Sequence, residues 1–225
     1  MRTFAVELSV PRGVTRRTFV TLALGSALAA FAGPVAAQLV EGKNYARLKA
    51  PVPVETGKKI EVIEFFSYGC PHCAELEPYL TAWLAKLPPD VQFRRVPAVF
   101  NPRWEHDAEI FYTFDALGVL DKVHKPFFDA IHTGGLRTDN REALEQWLQR
   151  NGIDPKKFNE TMKSFTVKSR TGRAKQMSVA YNIDGTPAMA VQGKYTVSAD
   201  QGGSREGMLQ TVSYIVDQMK KGKLK

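Results

Sequence analysis

The chain has 225 residues, of which 44% are hydrophobic, 24% charged and 10% aromatic, with a formal net charge of +8. This composition supplies enough apolar material for a core and excludes a disordered chain, and the length suits one domain or one domain carrying an insertion. The basic residues are spread along the sequence without a recognition motif, so no nucleic-acid partner is predicted.

The first 37 residues are predicted to be a targeting signal rather than part of the fold. Arg12, Arg16 and Arg17 form a basic region, and an apolar stretch follows over 19–32. That stretch has the length of the hydrophobic region of a signal peptide and is too short to span a bilayer. The pattern therefore predicts export from the cytoplasm.

Small residues at 35–37 suit a signal-peptidase site, which predicts cleavage before Gln38. An uncleaved membrane anchor and a disordered basic leader are the alternatives. The adjacent Arg16 and Arg17 are also compatible with a twin-arginine signal. Either export route ends in a compartment where disulfides persist.

The chain after the leader begins with an irregular, proline-rich segment over 38–57. The apolar run at 60–66 predicts a buried strand, and leucines at helical spacing predict a helix from Cys70 to about Leu87. A second strand is predicted over 91–100. Two strands that flank a helix are typical of a βαβ unit.

The middle of the chain, 101–180, is predicted to be helical almost throughout. Its helices are expected at 105–117, at 120–132, after a capping box formed by Asp139 and Glu142, after Asp154-Pro155, and at 166–179.

Strand character returns at 188–191 and 195–197, which read as a hairpin, and 206–220 is a final helix. This order predicts one α/β sheet, built from 38–100 and 181–225, that is interrupted by an inserted helical domain.

The two cysteines, Cys70 and Cys73, are separated only by Pro71 and His72 and lie where the first strand meets the first helix. A disulfide between residues this close in sequence closes almost no loop, so its role is predicted to be chemical rather than structural. A thiolate at a helix N-terminus is stabilised by free N–H groups and by the helix dipole, and His72 can add positive charge nearby. Cys70 is therefore predicted to be the exposed nucleophile and Cys73 the resolving thiol.

A stabilised Cys70 thiolate favours the reduced protein, which makes the disulfide a good oxidant of other thiols. A structural bridge and a metal site are the alternatives for this motif. A zinc site needs four suitably spaced ligands, so no metal ligand and no cofactor are predicted. The remaining histidines fall in the predicted helical insert and are interpreted as surface or helix-packing residues: His106, His124 and His132.

Glu64 is an unusual residue because it lies on the first predicted strand, close beneath the cysteines. A buried carboxyl has a raised pKa unless it is paired, and such a group could accept the proton of Cys73 when that thiol attacks. The alternative is a purely structural ion pair with Arg94 or Arg95 on the next strand.

Thr186 and Pro187 precede the predicted strand at 188–191. Proline is tolerated at a strand start, and the bond between these two residues is expected to be trans, because cis is the minority state of X–Pro bonds.

Two segments resemble the DsbA family of the thioredoxin superfamily. The run from Ile63 to Cys73, IEFFSYGCPHC, is similar to the family's active-site segment, and 185–195 is similar to its cis-proline segment and the hairpin that follows. The predicted interrupted sheet matches the family's thioredoxin fold with an inserted all-helical domain. The similarity covers nearly all of the chain after the leader.

The resemblance implies that Pro187 is cis and faces the disulfide, and that Thr186 contacts the backbone of a bound peptide. It implies that Cys70 forms a mixed disulfide and that Glu64 is the family's buried acid. The family often carries a lysine near that acid, whereas this chain offers Arg94 or Arg95.

The activity implied by the resemblance is that of a periplasmic dithiol oxidase, and nothing in the sequence suggests more than a monomer. Its partners would be reduced, unfolded exported proteins and a DsbB-like membrane quinone reductase for reoxidation. A disulfide isomerase or reductase of the same fold is the alternative, although DsbC-like isomerases carry an N-terminal dimerisation domain that the roughly twenty irregular residues before the first strand do not provide. A non-enzymatic binding module, such as a metal carrier or a chaperone, is the third possibility.

Overall fold

A computed structural model describes residues 39–224. The predicted signal peptide and its cleavage site lie outside these residues. One mixed sheet runs in the order β1-β5-β4-β2-β3. Its strands are β1 (Ala46–Arg47), β2 (Ile60–Phe66), β3 (Val91–Pro97), β4 (Ala188–Val191) and β5 (Tyr195–Ser198).

The central strand is β2, which pairs in parallel with β3 and antiparallel with β4. Six of its seven residues are buried, as expected for an apolar, β-branched and aromatic run covered on both faces. The two acidic residues of this strand, Glu61 and Glu64, are fully buried as well. Buried carboxylates need partners, so the neighbouring strand has to supply them.

The helices of the described part of the chain are α1 (Pro71–Leu84), α2 (Pro102–Ala116), α3 (Leu120–His132), α4 (Arg141–Arg150), α5 (Pro155–Met162), α6 (Phe165–Ala180), α7 (Ala199–Gly202) and α8 (Arg205–Lys220). Two cores hold them to the sheet. One core joins β2 to the helices of 101–180 through residues such as Phe66, Phe111 and Phe128. The other joins the sheet to α1 and α8 through residues such as Leu80 and Val212.

Most predicted elements are confirmed with shifted ends. The first helix ends at Leu84 rather than at Leu87, and the second strand ends at Pro97 rather than at Phe100. The segment 38–57 is not wholly irregular, since it contributes β1, which pairs with β5. The short helix α7 was not predicted.

The capping box predicted for the fourth helix is wrong. Asn140 is the N-cap of α4, and its side chain accepts a hydrogen bond from the Ala143 amide. Asp139 instead pairs with Arg137 at 2.9 Å. Both residues are good N-caps, and only the backbone geometry selects one of them. Asp154 caps α5 as predicted, because its carboxylate accepts from the Lys156 amide.

Candidate active site

The two thiols lie at the start of α1, directly after β2. Cys70 is the N-cap residue, with extended backbone angles (φ −91°, ψ 113°), and Pro71 opens the helix. The amides of Cys73 and Ala74 donate to the Cys70 carbonyl at 3.1 and 3.2 Å. Both cysteines are free thiols, Cys70 with 9% of its surface exposed and Cys73 with none. An incoming thiol can therefore reach Cys70 but not Cys73.

The surroundings of Cys70 favour its thiolate and lower its pKa to about 5. A hydrogen bond from the Cys73 thiol contributes most, burial opposes it, and hydrogen bonds from Thr186 and from the amides of Cys73 and His72 add to the lowering. These amides are the free donors of the first helical turn, which stabilise an anion at a helix N-terminus. The thiolate is thus produced mainly by the local fold of the C-x-x-C turn.

Cys73 is shifted in the opposite direction. Burial raises the pKa of this thiol well above its ordinary value, and the negative charge of Cys70 raises it further. Two titratable groups with pKa values pushed apart mark distinct chemical roles. These shifts favour a thiolate at Cys70 and a neutral thiol at Cys73 near pH 7, with the Cys73 thiol donating a hydrogen bond to Cys70.

The Cys70 thiolate should be directly measurable. In the reduced protein, the ultraviolet absorbance of the thiolate is expected to titrate with a midpoint near pH 5. Because this pKa lies below that of a thiol in the unfolded chain, the thiolate stabilises the reduced fold, and the stabilisation is lost as the pH falls through 5.

Two variants serve as controls for this titration. Cys70→Ser should remove the acidic transition. Cys73→Ser should change its midpoint, because the sulfur that supplies the strongest hydrogen bond is replaced. A wild-type midpoint near 9, the ordinary value of a thiol, would contradict the geometry described above.

Thr186 and Pro187 approach Cys70 from the loop before β4. The bond between them is cis, so the expectation of trans from the bare sequence is wrong, while the cis bond that the family resemblance implies is confirmed. Tertiary contacts can override the small intrinsic preference for trans. The protonated Cys70 thiol donates to the Thr186 carbonyl at 3.3 Å. The Thr186 hydroxyl oxygen is buried without a hydrogen-bond partner, so it is available to donate when Cys70 becomes a thiolate.

Glu64 combines the two interpretations that the sequence left open. Its Oε2 atom accepts from Arg95 Nε at 3.1 Å, whereas Oε1 is buried without a partner. Arg94 pairs with Glu61 instead. Burial raises the pKa of Glu64 to about 8 despite the opposing charge of Arg95, and the negative charge of Glu77 raises it further. Glu64 is therefore ion-paired and still able to hold a proton near neutral pH.

Sequence reasoning did not find a buried polar cluster beside Glu64. Glu77, one turn after Cys73, accepts from Arg95 Nη2 at 3.1 Å on both of its oxygens. The Nε2 atom of His124 lies 3.4 Å from Glu77 Oε1, and its Nδ1 atom lies 2.9 Å from the Tyr68 hydroxyl. His124 thus packs between helices, as predicted, but it also contacts the active-site turn.

Two sequence signals pointed towards this cluster. Glu77 interrupts an apolar helix face, four residues after Cys73 and one residue after the buried Leu76. His132 follows His124 on α3 at a spacing that returns to the same helix face, and its Nε2 atom lies 2.8 Å from the Tyr68 carbonyl. An acidic residue on a buried helix face needs a partner such as histidine or arginine.

The His72 ring lies beside Glu75 and Arg205. The side chain is largely exposed, and its Nδ1 atom lies 3.2 Å from Glu75 Oε2 and 2.9 Å from Arg205 Nη2. The part of His72 that favours the Cys70 thiolate is its backbone amide. The expectation that its imidazole adds positive charge close to the sulfur therefore remains a prediction.

Within residues 39–224, no set of three or more histidine, cysteine or acidic side chains is arranged to bind a metal ion. No helix of that part of the chain has the length and apolar character needed to cross a membrane.

Comparisons with known proteins agree with this geometry. A family model described as "DSBA-like thioredoxin domain" matches residues 95–211. The thiol:disulfide interchange protein DsbA of Azotobacter vinelandii is 44% identical over 177 residues, which cover 79% of this chain and 83% of that protein.

Solved structures show the same relationship. The crystal structure of Pseudomonas aeruginosa DsbA matches with a TM-score of 0.77 at 38% identity, over 81% of this chain and 95% of that one. The structure of the oxidoreductase DsbA from Xylella fastidiosa matches with a TM-score of 0.76 at 33% identity, over 82% of this chain and 100% of that one. These matches confirm the predicted thioredoxin fold with a helical insertion.

Proposed function

The chain belongs to the DsbA family of disulfide oxidoreductases, and on that premise we propose that it donates its Cys70–Cys73 disulfide to exported proteins through a mixed disulfide on Cys70. The observation that carries this proposal is the opposite shift of the two thiol pKa values at the start of α1. A stabilised Cys70 thiolate lowers the free energy of the reduced protein, so the disulfide form tends to accept electrons.

The reaction is written in two exchanges. A substrate thiolate attacks Cys70 Sγ, which forms a substrate–Cys70 disulfide and releases Cys73 as a thiolate. A second thiolate of the substrate then attacks the substrate sulfur, which forms the product disulfide and releases Cys70 as a thiolate. Two electrons pass from the substrate dithiol to the enzyme disulfide, and the released Cys73 takes up one proton.

We assign the proton of Cys73 to Glu64. When Cys73 leaves, the protonated Glu64 supplies its proton, and when Cys73 attacks the mixed disulfide in the reverse direction, the Glu64 carboxylate accepts it. The influence of Glu64 on the Cys73 thiol and the raised pKa of Glu64 support this role. The ion pair with Arg95 holds the carboxyl group in place.

Thr186 and Pro187 are proposed to bind the substrate backbone beside Cys70. Pro187 is buried at the start of β4, and the Thr186 carbonyl lies within 3.3 Å of Cys70 Sγ. A peptide that passes along this loop places its own cysteine next to Cys70. Pro71 and His72 open α1 immediately after Cys70, and the His72 amide is one of the groups that favour the Cys70 thiolate.

The site of action is proposed to be the periplasm. The predicted signal peptide over 1–37 and the family resemblance support this location. We further propose that 38–100 and 181–225 form the thioredoxin part and that 101–180 form the inserted helical domain. The partners would be reduced, unfolded exported proteins and a DsbB-like membrane quinone reductase, with the enzyme acting as a monomer.

The redox equilibrium with glutathione tests the direction of electron flow. In a series of glutathione buffers, more than half of the Cys70–Cys73 pair is expected to be reduced while most of the glutathione is still oxidised. Mass-tagging of free thiols reads the two states, and a variant with both cysteines replaced by serine gives the background.

The opposite result would assign a different activity to the same fold. A pair that stays oxidised until most of the glutathione is reduced would favour a reductase or a structural disulfide. Rearrangement of scrambled substrate disulfides without net oxidation would favour an isomerase. Client refolding that is unchanged when both cysteines are replaced would indicate a chaperone.

A further inference from the structure

The buried cluster beneath the active site contains more acid than base. Glu64 and Glu77 share one guanidinium, that of Arg95, through contacts of 3.1 Å. Both carboxyl groups and the nearby His124 are at most 6% exposed. One guanidinium can neutralise one buried carboxylate, so the second carboxyl group is most stable when it is protonated.

Hydrogen-bond partners decide which acid keeps the proton. Glu77 accepts from Arg95 on both oxygens, and Oε1 also faces His124 Nε2 at 3.4 Å. Glu64 accepts only from Arg95 Nε, and its other oxygen has no partner. A carboxylate with more donors is the better anion. The geometry therefore favours an ionised Glu77 and a protonated Glu64.

The contacts of His124 with Glu77 and Tyr68 fix which of its two ring nitrogens carries the proton. An ionised Glu77 can only accept hydrogen bonds, so Nε2 of a neutral His124 carries the proton and Nδ1 is an acceptor. The Tyr68 hydroxyl, 2.9 Å from Nδ1, is then the donor. Rings of three phenylalanines surround the imidazole, with centroids at 5.2–6.0 Å: Phe66, Phe111 and Phe128. This apolar enclosure keeps the imidazole neutral and fixed in orientation.

The pKa shifts of His124 and Glu77 agree with a neutral His124 and an ionised Glu77. Burial lowers the pKa of His124, although Glu77 and Asp121 act in the opposite direction. Burial alone would raise the pKa of Glu77, but the hydrogen bond from His124 and the charge of Arg95 outweigh it and hold that pKa below its ordinary value. The groups that face Glu64 are Arg95, Glu77 and the two cysteines.

We infer that His124 is a positioning residue of the redox site: by donating to Glu77 and accepting from Tyr68, it holds Glu77 as the anion of Arg95 and leaves the exchangeable proton on Glu64. The inference rests on the proposed role of Glu64 as the proton partner of Cys73. The inference gives the helical insert a part in the chemistry, because His124 on α3 determines that Glu64 on β2 carries the proton. His124 touches neither the substrate nor the sulfur atoms.

Carbon NMR titration of the reduced, mature protein tests where the proton resides. Side-chain carboxyl carbons of glutamate are labelled, and the signals of Glu64 and Glu77 are assigned with Glu64→Gln and Glu77→Gln. In the wild type, Glu64 is expected to titrate near pH 8 and Glu77 below the ordinary value of 4.5.

Three substitutions of His124 separate its contacts. Leucine removes both hydrogen bonds, asparagine can reach Tyr68 but not Glu77, and glutamine offers a donor group and an acceptor group, as neutral imidazole does. In His124→Leu and His124→Asn, the Glu64 midpoint is expected to fall while the Glu77 midpoint rises. The ionised fraction of Glu64 at pH 7 then increases roughly fivefold from about one tenth. His124→Gln should restore values close to the wild type.

Reciprocal movement of two midpoints is a result that loss of packing alone does not produce. Circular dichroism and thermal melting check that each variant folds. If the leucine variant does not fold, the comparison of the asparagine and glutamine variants tests the inference. The inference is overturned if Glu64 titrates alike in the asparagine and glutamine variants, or if Glu77 holds the proton in the wild type. The titration does not depend on the redox potential, so a failure of the proposed function would appear in the glutathione equilibrium instead.

Discussion

Replacing Cys73 with serine is expected to abolish dithiol oxidation and to leave a stable adduct on Cys70. The variant cannot form the intramolecular disulfide, so catalysed oxidation of a reduced substrate should fall by at least about three orders of magnitude, to the uncatalysed background. Its Cys70 thiolate can still attack oxidised glutathione, which forms a Cys70–glutathione disulfide and releases one glutathione thiolate. Without Cys73 nothing in the protein expels the bound glutathione.

Cys70→Ser is the matched control for this experiment. It should be equally inactive, but it should form the adduct far more slowly, because Cys73 is fully buried and its pKa is raised. Mass spectrometry of the intact protein and of its peptides shows whether glutathione is attached and to which residue. Equal labelling of the two variants would contradict the assignment of Cys70 as the nucleophile.

The local parts of the site could be predicted from the sequence because they are encoded locally. The apolar run of β2, the C-x-x-C turn and the start of α1 lie within fourteen consecutive residues, 60–73. The period of the strand, the start of the helix and the spacing of the cysteines are all visible within a segment of that length. The lowered pKa of Cys70 follows from the same short segment, since its main causes are Cys73 and nearby amides.

The buried cluster could not be predicted in the same way. Tyr68 and His124 are 56 residues apart in the chain, and His124 and Glu77 are 47 residues apart. Helical periodicity places His124 on α3 but does not say which part of the sheet that face meets. A histidine and a glutamate on helices are most often surface or packing residues, so their contacts emerge only from the tertiary fold.

The sequence did not decide the role of Glu64. Its position on a buried strand indicated either a functional acid or a structural ion pair. The structure contains both the ion pair with Arg95 and a pKa raised to about 8. Burial and pairing act on this group in opposite directions, and the balance depends on Glu77, which competes for the same arginine. Pairing the residues of neighbouring strands two at a time leaves out Glu77, because it lies on α1.

Glu64→Gln is expected to make the stability of the reduced protein rise with pH. The Glu64 pKa is about 8 in the fold against an ordinary value of 4.5, so between these values the folded protein holds a proton that the unfolded chain has lost. Stability due to this group therefore falls as the pH rises. Cys70 acts in the opposite direction, because its pKa is lowered to about 5. Glutamine removes only the Glu64 contribution, so the variant should gain stability from pH 5 to pH 8 relative to the wild type, by about 2–4 kcal/mol.

The same substitution should slow the attack of Cys73 on a Cys70–glutathione disulfide. An amide cannot accept the thiol proton, so the rate at pH 8 is expected to fall by about tenfold to a hundredfold, and the rise of the rate through pH 8 should disappear. Denaturant unfolding of the reduced protein and stopped-flow release of glutathione measure the two effects. Glu61→Gln is the matched control, since Glu61 is equally buried on β2 but is paired with Arg94. If the two variants behave alike, burial of acid in the sheet is the cause, and Glu64 has no special part in moving the Cys73 proton.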